Sequence, residues 1–84
     1  MASIQLKLFA SLRESTGIED LSVDIEAQDS VNDLLAALCQ TYDSFNRYYQ
    51  ELPVLVAVNQ TMVDLTHILD DGDEVALFPP VTGG

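Results

Sequence analysis

The feature that most constrains the fold is a single change in the spacing of apolar residues. In DSVNDLLAALCQTY, residues 29–42, apolar side chains recur at intervals of three and four, as on one face of a helix: Val31, Leu34, Leu35, Leu38, Cys39 and Tyr42. Ser30 has the position of an N-cap, and Asp33 that of the acid in a capping box. The sequence therefore predicts one main helix that starts at Ser30 and buries one stripe.

The segments before this helix alternate apolar and polar residues, as half-buried strands do. The first is SIQLKLFASL, residues 3–12, whose inward side chains are predicted to be Ile4, Leu6, Leu8 and Ala10. The second is DLSVDIEA, residues 20–27, and the RESTGIED stretch around Thr16 and Gly17 has turn chemistry. Together they predict a β-hairpin.

After the helix the sequence predicts three more strands. PVLVAVN is an apolar run, NQTMVDL turns and begins a short return, and EVALFPP is the last strand. Residues 43–51 predict either a short second helix or an ordered loop. The resulting order, with one main helix among strands, indicates an α+β domain of two layers. We assign residues 1–80 to this domain and residues 81–84 to a flexible C-terminal tail.

Charge limits the partners of such a domain. The 84 residues include 14 Asp and Glu but only Lys7, Arg13 and Arg47 as cations, for a net charge of −11. Nucleic acid is a poor partner for an acidic surface, because phosphate binding depends on lysine and arginine. The charge is explained equally by solubility and by complementarity to a basic partner protein.

The sequence predicts a cytoplasmic protein that does not bind membranes. No apolar run approaches the roughly 18 residues of a membrane span. The N-terminal MASIQLKLFASLRE lacks the basic region of a signal peptide, and its apolar residues alternate with polar ones.

Three groups of residues could carry chemistry, but a structural role explains each of them more simply than a catalytic or metal-binding role. Cys39 lies on the apolar helix stripe and is expected to behave as a small buried hydrophobe. His67 has no nucleophilic partner at a recognisable spacing. The acidic stretch 70–73 resembles part of a calcium loop but lacks the glutamate six residues after its glycine, so a plain turn is expected. We expect no metal site and no bound cofactor.

Two phenylalanines point away from the predicted core. Phe9 and Phe78 lie on the opposite faces of their strands from the apolar rows. If the first and last strands are neighbours, the two rings share one exposed patch, extended by Met62, and such patches mark binding surfaces. The alternative is that residues 45–49 cover this face and form a second small core.

The last residues of the sequence are predicted to form a narrow, extended segment. Pro79 and Pro80 favour an extended backbone, and Val81, Thr82, Gly83 and Gly84 reach about 13 Å further. The two glycines lack Cβ atoms and can enter a narrow channel. A terminal carboxylate on Gly84 is ionised at pH 7 and a poor electrophile, so it must be activated, for which adenylation by ATP is suitable.

LFASLRESTG, VNQTMV and DGDEVALFPPVTGG resemble the corresponding segments of the small subunit of molybdopterin synthase, the MoaD-type sulfur carriers. The resemblance implies a β-grasp, ubiquitin-like fold, a mixed sheet with one main helix packed across it.

The resemblance also implies a function. Gly84 is adenylated by an activating enzyme of the MoeB type, which consumes ATP, and becomes a thiocarboxylate with sulfur from a persulfide donor. The tail then enters the large synthase subunit (MoaE type) and gives its sulfur to cyclic pyranopterin monophosphate, with two carriers used per dithiolene. The family's docking surface maps onto Phe9, Met62 and Phe78.

Other functions remain open. A ThiS-type carrier for thiamine thiazole synthesis shares the Gly-Gly end and the activation step. A ubiquitin-like modifier would instead form isopeptide bonds through Gly84. A binding domain with an inert tail is the third alternative.

Overall fold

The structure is a computed structural model that describes residues 2–80. Eight elements follow one another along the chain: β1 (Ala2–Leu8), α1 (Ala10–Thr16), β2 (Asp20–Ile25), α2 (Val31–Thr41), α3 (Asp43–Glu51), β3 (Leu55–Val58), β4 (Thr61–Val63) and β5 (Glu74–Phe78). The strands form one sheet in the order β2-β1-β5-β3-β4. Only the β1–β5 pair is parallel among the strand pairs within residues 2–80. This mixed sheet is the predicted β-grasp arrangement.

The predicted hairpin of β1 and β2 is confirmed. The two strands pair antiparallel, with Ile4 opposite Val23 and Leu6 opposite Leu21. β5 then lies between β1 and β3, and its register places Leu77 beside Leu8 on one side and Val56 on the other. All three of these side chains are buried, so the apolar rows of neighbouring strands meet on one face of the sheet.

The predicted first strand is too long, and the hairpin connection contains a helix. Ala10, expected to point inward from a strand, is exposed and begins α1 with a φ of 53°. Leu12 is buried as expected, but it lies in α1 and not in the first strand. α1 ends at Gly17, whose φ of 76° is the left-handed conformation of a helix C-cap and whose N–H donates to the Arg13 carbonyl at 2.9 Å.

α2 is the predicted main helix, and its capping box is confirmed. The Ser30 hydroxyl accepts from the Asp33 N–H at 3.3 Å, and the Asp33 carboxylate accepts from the Ser30 N–H at 2.8 Å. The next two amides are also occupied, because Val31 and Asn32 donate to the carbonyls of His67 and Leu65 at 2.9 Å each. The positive end of this helix is therefore closed by the chain itself.

Residues 43–51, for which helix and loop were both open, form the helix α3. Its Phe45 and Tyr48 are buried in the same core as Leu12 of α1 and the inner face of the sheet. α3 packs against α1 and α2, so it does not cover the other face of the sheet as the alternative required. No helix within residues 2–80 has the length and apolar character needed to cross a membrane.

Candidate functional site

The face of the sheet opposite the helices, which no helix within residues 2–80 covers, is apolar where β5 ends. Side chains alternate between faces along a strand, so Phe78 lies on the opposite face from the buried Leu77. Leu55 of β3 is the cross-strand partner of Phe78, and Met62 of β4 pairs with Ala57 of the same face. Leu55 and Met62 are exposed, Met62 by 58%.

The rings of Phe9 and Phe78 form a stacked pair at this end of the sheet. Their centroids are 5.0 Å apart and their planes differ by 11°. The Phe9 N–H donates to the Leu77 carbonyl at 3.2 Å, which extends the β1–β5 pairing by one residue beyond Leu8. Ala10 then turns the chain away with its positive φ, so Phe9 stays on the outer face and remains 38% exposed.

Met62 and Phe78 line one open depression of about 420 Å³, together with Ala10, Leu55, Pro79 and Pro80. We call the set Phe9, Leu55, Met62, Phe78, Pro79 and Pro80 the exit patch. The structure thus brings together the three predicted partner-binding residues. Leu55 was missed because PVLVAVN is apolar throughout and gives no alternation, and only its pairing with Phe78 reveals its face.

The predicted tail residues, Val81, Thr82, Gly83 and Gly84, lie outside the described part of the chain. β5 ends at Phe78, and the half-buried Pro79 and Pro80 border the exit patch. Proline has no N–H with which to continue a strand ladder. The chain therefore leaves the sheet beside the stacked rings of Phe9 and Phe78.

Each of the three cations of the chain lies near a carboxylate. The Lys7 ammonium lies 3.9 Å from the Glu74 carboxylate, Arg13 lies 3.7 Å from Glu19, and Arg47 contacts Asp43 at 2.8 Å. No carboxylate belongs to the exit patch, so a partner's apolar pocket can meet it without burying a negative charge.

The other chemically capable residues, Cys39 and His67, lie in surroundings that a structural role explains. Burial raises the pKa of the half-buried Cys39 thiol, which lowers its reactivity. His67 is exposed, and its carbonyl accepts from the start of α2. Within residues 2–80, no three His, Cys, Asp or Glu side chains are grouped to hold a metal ion.

The acidic turn at residues 70–73 uses its oxygens to fix the chain. The Asp71 carboxylate accepts from the Ser3 N–H at 2.9 Å. The Asp73 carboxylate accepts from the Asp70 N–H at 2.8 Å and from the Asn59 side-chain amide at 3.0 Å. These carboxylates act as turn and strand anchors.

Comparison with known proteins agrees with this geometry. The sequence profile of the ThiS family matches residues 6–84. The molybdopterin synthase sulfur carrier subunit of Escherichia coli K12 is 39% identical over 83 residues, covering 96% of this chain and 99% of the relative.

Two solved structures share the fold. Small archaeal modifier protein 1 of Haloferax volcanii superposes with a TM-score of 0.81 at 30% identity, covering 96% of this chain and 100% of that one. A chain in the complex of subunits 1 and 2 of the molybdopterin-converting factor from Helicobacter pylori has a TM-score of 0.68 at 26% identity, with 98% and 99% covered. The resemblance seen in the sequence is confirmed over nearly the full chain, and the chain belongs to the ThiS family.

Proposed function

We propose that this chain is the sulfur-carrier subunit of a molybdopterin synthase. The observation that carries the proposal is its similarity to the Escherichia coli carrier, which spans 99% of that relative's length. The exit patch supports it, because a carrier must dock on its enzymes by a surface next to the group that it delivers.

In the proposed chemistry, Gly84 is the C-terminal residue and carries the sulfur. Its carboxylate attacks the α-phosphorus of ATP in an activating enzyme of the MoeB type, and pyrophosphate leaves. The terminal sulfur of a persulfide then attacks the acyl carbon and expels AMP, and a thiol reductant cleaves the remaining S–S bond to leave a thiocarboxylate. Activation is needed because a carboxylate is a poor electrophile and lacks a good leaving group.

The thiocarboxylate is delivered in the large synthase subunit of the MoaE type. The exit patch docks there, Val81, Thr82 and Gly83 pass through a narrow channel, and Gly84 gives its sulfur to cyclic pyranopterin monophosphate. A solved complex of the two converting-factor subunits from another organism supports a large-subunit partner. The carrier itself binds no cofactor, and ATP is consumed by the activating enzyme in the cytoplasm.

Intact-mass spectrometry of the protein isolated from its native cells tests the proposal. We expect a subpopulation in which one terminal oxygen is replaced by sulfur, and we expect Gly84 to be its last residue. Purified protein given the activating enzyme, ATP and a persulfide donor should gain the same sulfur, and a variant lacking Gly84 should not. His67→Ala is the control, because this side chain is exposed and does not belong to the exit patch. A carboxylate that stays unmodified under these conditions contradicts the proposal.

A protein modifier is the second candidate, favoured by the similarity to the archaeal modifier protein. In that case the same mass experiment would find the chain joined through Gly84 to lysines of other proteins. A ThiS-type carrier would gain sulfur but recover a thiazole synthase, rather than a large molybdopterin synthase subunit, in a pull-down.

A further inference from the structure

The edge strand β2 is six residues long, whereas the opposite edge strand, β4, is three residues long. The Leu8 N–H donates to the Glu19 carbonyl at 3.1 Å. Bonded and non-bonded pairs alternate in an antiparallel ladder, so β1 is bonded to the odd-numbered residues of β2. The N–H and C=O groups of Asp20, Ser22 and Asp24 therefore point away from the sheet and are free to pair with another strand.

A groove runs along this edge on the helical side. It has a volume of about 180 Å³ and lies between β2 and α2, with side chains of Leu21, Val23, Ala37, Leu38, Thr41 and Tyr42 among its lining. Leu21 and Val23 face the core but are only half-buried, because β2 is the edge strand of the sheet within residues 2–80. An added strand would send every second side chain into this groove.

The other side of the edge is acidic. Asp20 and Asp24 project on the outer face, with Ser22 between them, and Glu19 and Glu26 flank the strand. Gln5 donates a hydrogen bond to Asp20, and Asp24 has no hydrogen bond or ion pair within residues 2–80. Asp20 and Asp24 are four residues apart, roughly 14 Å along the strand. Cations at positions i and i+4 of a facing strand would match them.

We infer that the free edge of β2 and the groove beside it form a docking site for an extended basic segment of a partner protein. The segment adds to the sheet as a sixth strand, with main-chain hydrogen bonds to Ser22 and Asp24. Its apolar side chains alternate into the groove, and its lysines or arginines, four residues apart, face Asp20 and Asp24. The charge of this edge selects the basic partner.

A second copy of the chain does not suit this edge. If two β2 strands paired antiparallel about Ser22, each Asp20 would lie directly opposite an Asp24, and like charges in that position are destabilising. The three cations of the chain cannot relieve this, since all of them already have a carboxylate within 4 Å among the described residues. The acidic edge therefore disfavours pairing with the β2 strand of a second copy, whereas it favours pairing with a basic strand.

The inference does not depend on the proposed function, and the site is separate from most of the exit patch. β2 lies two strand spacings from β5 and three from β3, roughly 10 Å and 14 Å across the sheet, and only Phe9 follows the neighbouring strand β1. A partner at β2 can therefore hold the protein while a second partner occupies Leu55, Met62 and Phe78. Such simultaneous binding suits a protein that passes between enzymes.

The test is an amide-resolved NMR titration of the full chain with the peptide acetyl-VKVTVKV-amide. We expect shifts and slowed hydrogen exchange at the amides of Ser22 and Asp24, and weaker binding as salt is raised. The Ser22→Pro variant should abolish binding, since it removes an outward N–H that β1 does not use. The same peptide with glutamate in place of lysine should not bind.

A charge-matched pair of variants keeps the test decisive if Ser22→Pro fails to fold. Asp20→Asn with Asp24→Asn should weaken binding about five-fold at low salt, since each exposed ion pair contributes on the order of 0.5 kcal/mol. Glu14→Gln with Glu51→Gln removes the same charge elsewhere and should change binding less than about two-fold. Equal effects of the two pairs, shifts centred on β4 or the exit patch, or no shifts at about millimolar peptide would each overturn the inference. So would dimerisation of the chain through β2.

Discussion

Two adjacent residues of β5 provide a sharp test of the exit patch. Leu77 is fully buried, whereas Phe78 is half-buried on the opposite face and contacts Phe9. Leu77→Ala removes core volume and should cost about 2–5 kcal/mol of unfolding free energy. Phe78→Ala should cost only about 1–1.5 kcal/mol, mostly the stacking with Phe9 and some partial burial.

Urea denaturation measures both values, and thermal unfolding checks them. In a domain of this size each kcal/mol of lost stability lowers Tm by about 4–8 °C. Phe78→Ala should therefore lower Tm less than Leu77→Ala, although phenylalanine is the larger side chain. A double-mutant cycle of Phe9→Ala and Phe78→Ala should give a coupling of about 0.5–1.5 kcal/mol, because the rings stack on each other. If Phe78→Ala is as destabilising as Leu77→Ala, Phe78 is a core residue and the reasoning is wrong.

Under the proposed function, the same variant should weaken binding to a large molybdopterin synthase subunit. Truncating an aromatic hot-spot residue costs about 2 kcal/mol or more, so we expect the Kd of Phe78→Ala to rise at least about thirtyfold in calorimetry. Ile68→Ala is the control, because Ile68 is 44% exposed but is not part of the exit patch. Equal loss of affinity in the two variants would show that the exit patch is not the docking surface.

Three further predictions test local features. Ser30→Ala should cost about 1 kcal/mol in urea unfolding, because it removes the N-cap of α2. Hydrogen bonds from the Ser30 N–H and hydroxyl lower the pKa of Asp33 from its ordinary value in the folded chain. Its charge therefore stabilises the fold above the ordinary carboxyl pKa, and this contribution is lost as the pH falls through the lowered pKa, so Asp33→Asn should flatten this part of the stability–pH curve. Ala10→Gly should be neutral or stabilising at a φ of 53°, whereas Ala37→Gly in α2 should cost about 1 kcal/mol by the same assay.

Much of the sheet could be predicted because β1, β2 and β5 alternate apolar and polar or outward residues with a period of two. The first strand was overextended because Ala10 and Leu12 continue the alternation of Leu8, although both belong to α1. Leu12 would be buried in a longer strand as well as in α1, so its apolar character could not distinguish the strand from the helix. A seven-residue helix is too short to show its own period, and its best signal is Gly17, which the sequence analysis placed in a turn.

The exit patch could be predicted in part because strand parity assigns a face to single residues. Phe9 and Phe78 lie on the opposite faces of their strands from the inward apolar residues, and the parallel β1–β5 pairing places their rings side by side. Leu55 could not be assigned, since its apolar neighbours hide any alternation. The groove beside β2 was also invisible, because it depends on how α2 crosses the edge of the sheet.

The face from which the chain leaves the sheet is decided some distance away, at the acidic turn. A shift of β5 by one residue would bury Phe78, expose Leu77 and direct the following residues toward the helices. The turn prevents this slip, since the Gly72 N–H donates to the Ser3 carbonyl at 2.8 Å and the Gln5 N–H donates to the Asp73 carbonyl at 2.9 Å. Gly72 can make the first of these contacts because glycine adopts a φ of 85° without strain. The aspartates that resembled a metal loop therefore help to place Phe78 on the outer face, although they do not belong to the exit patch.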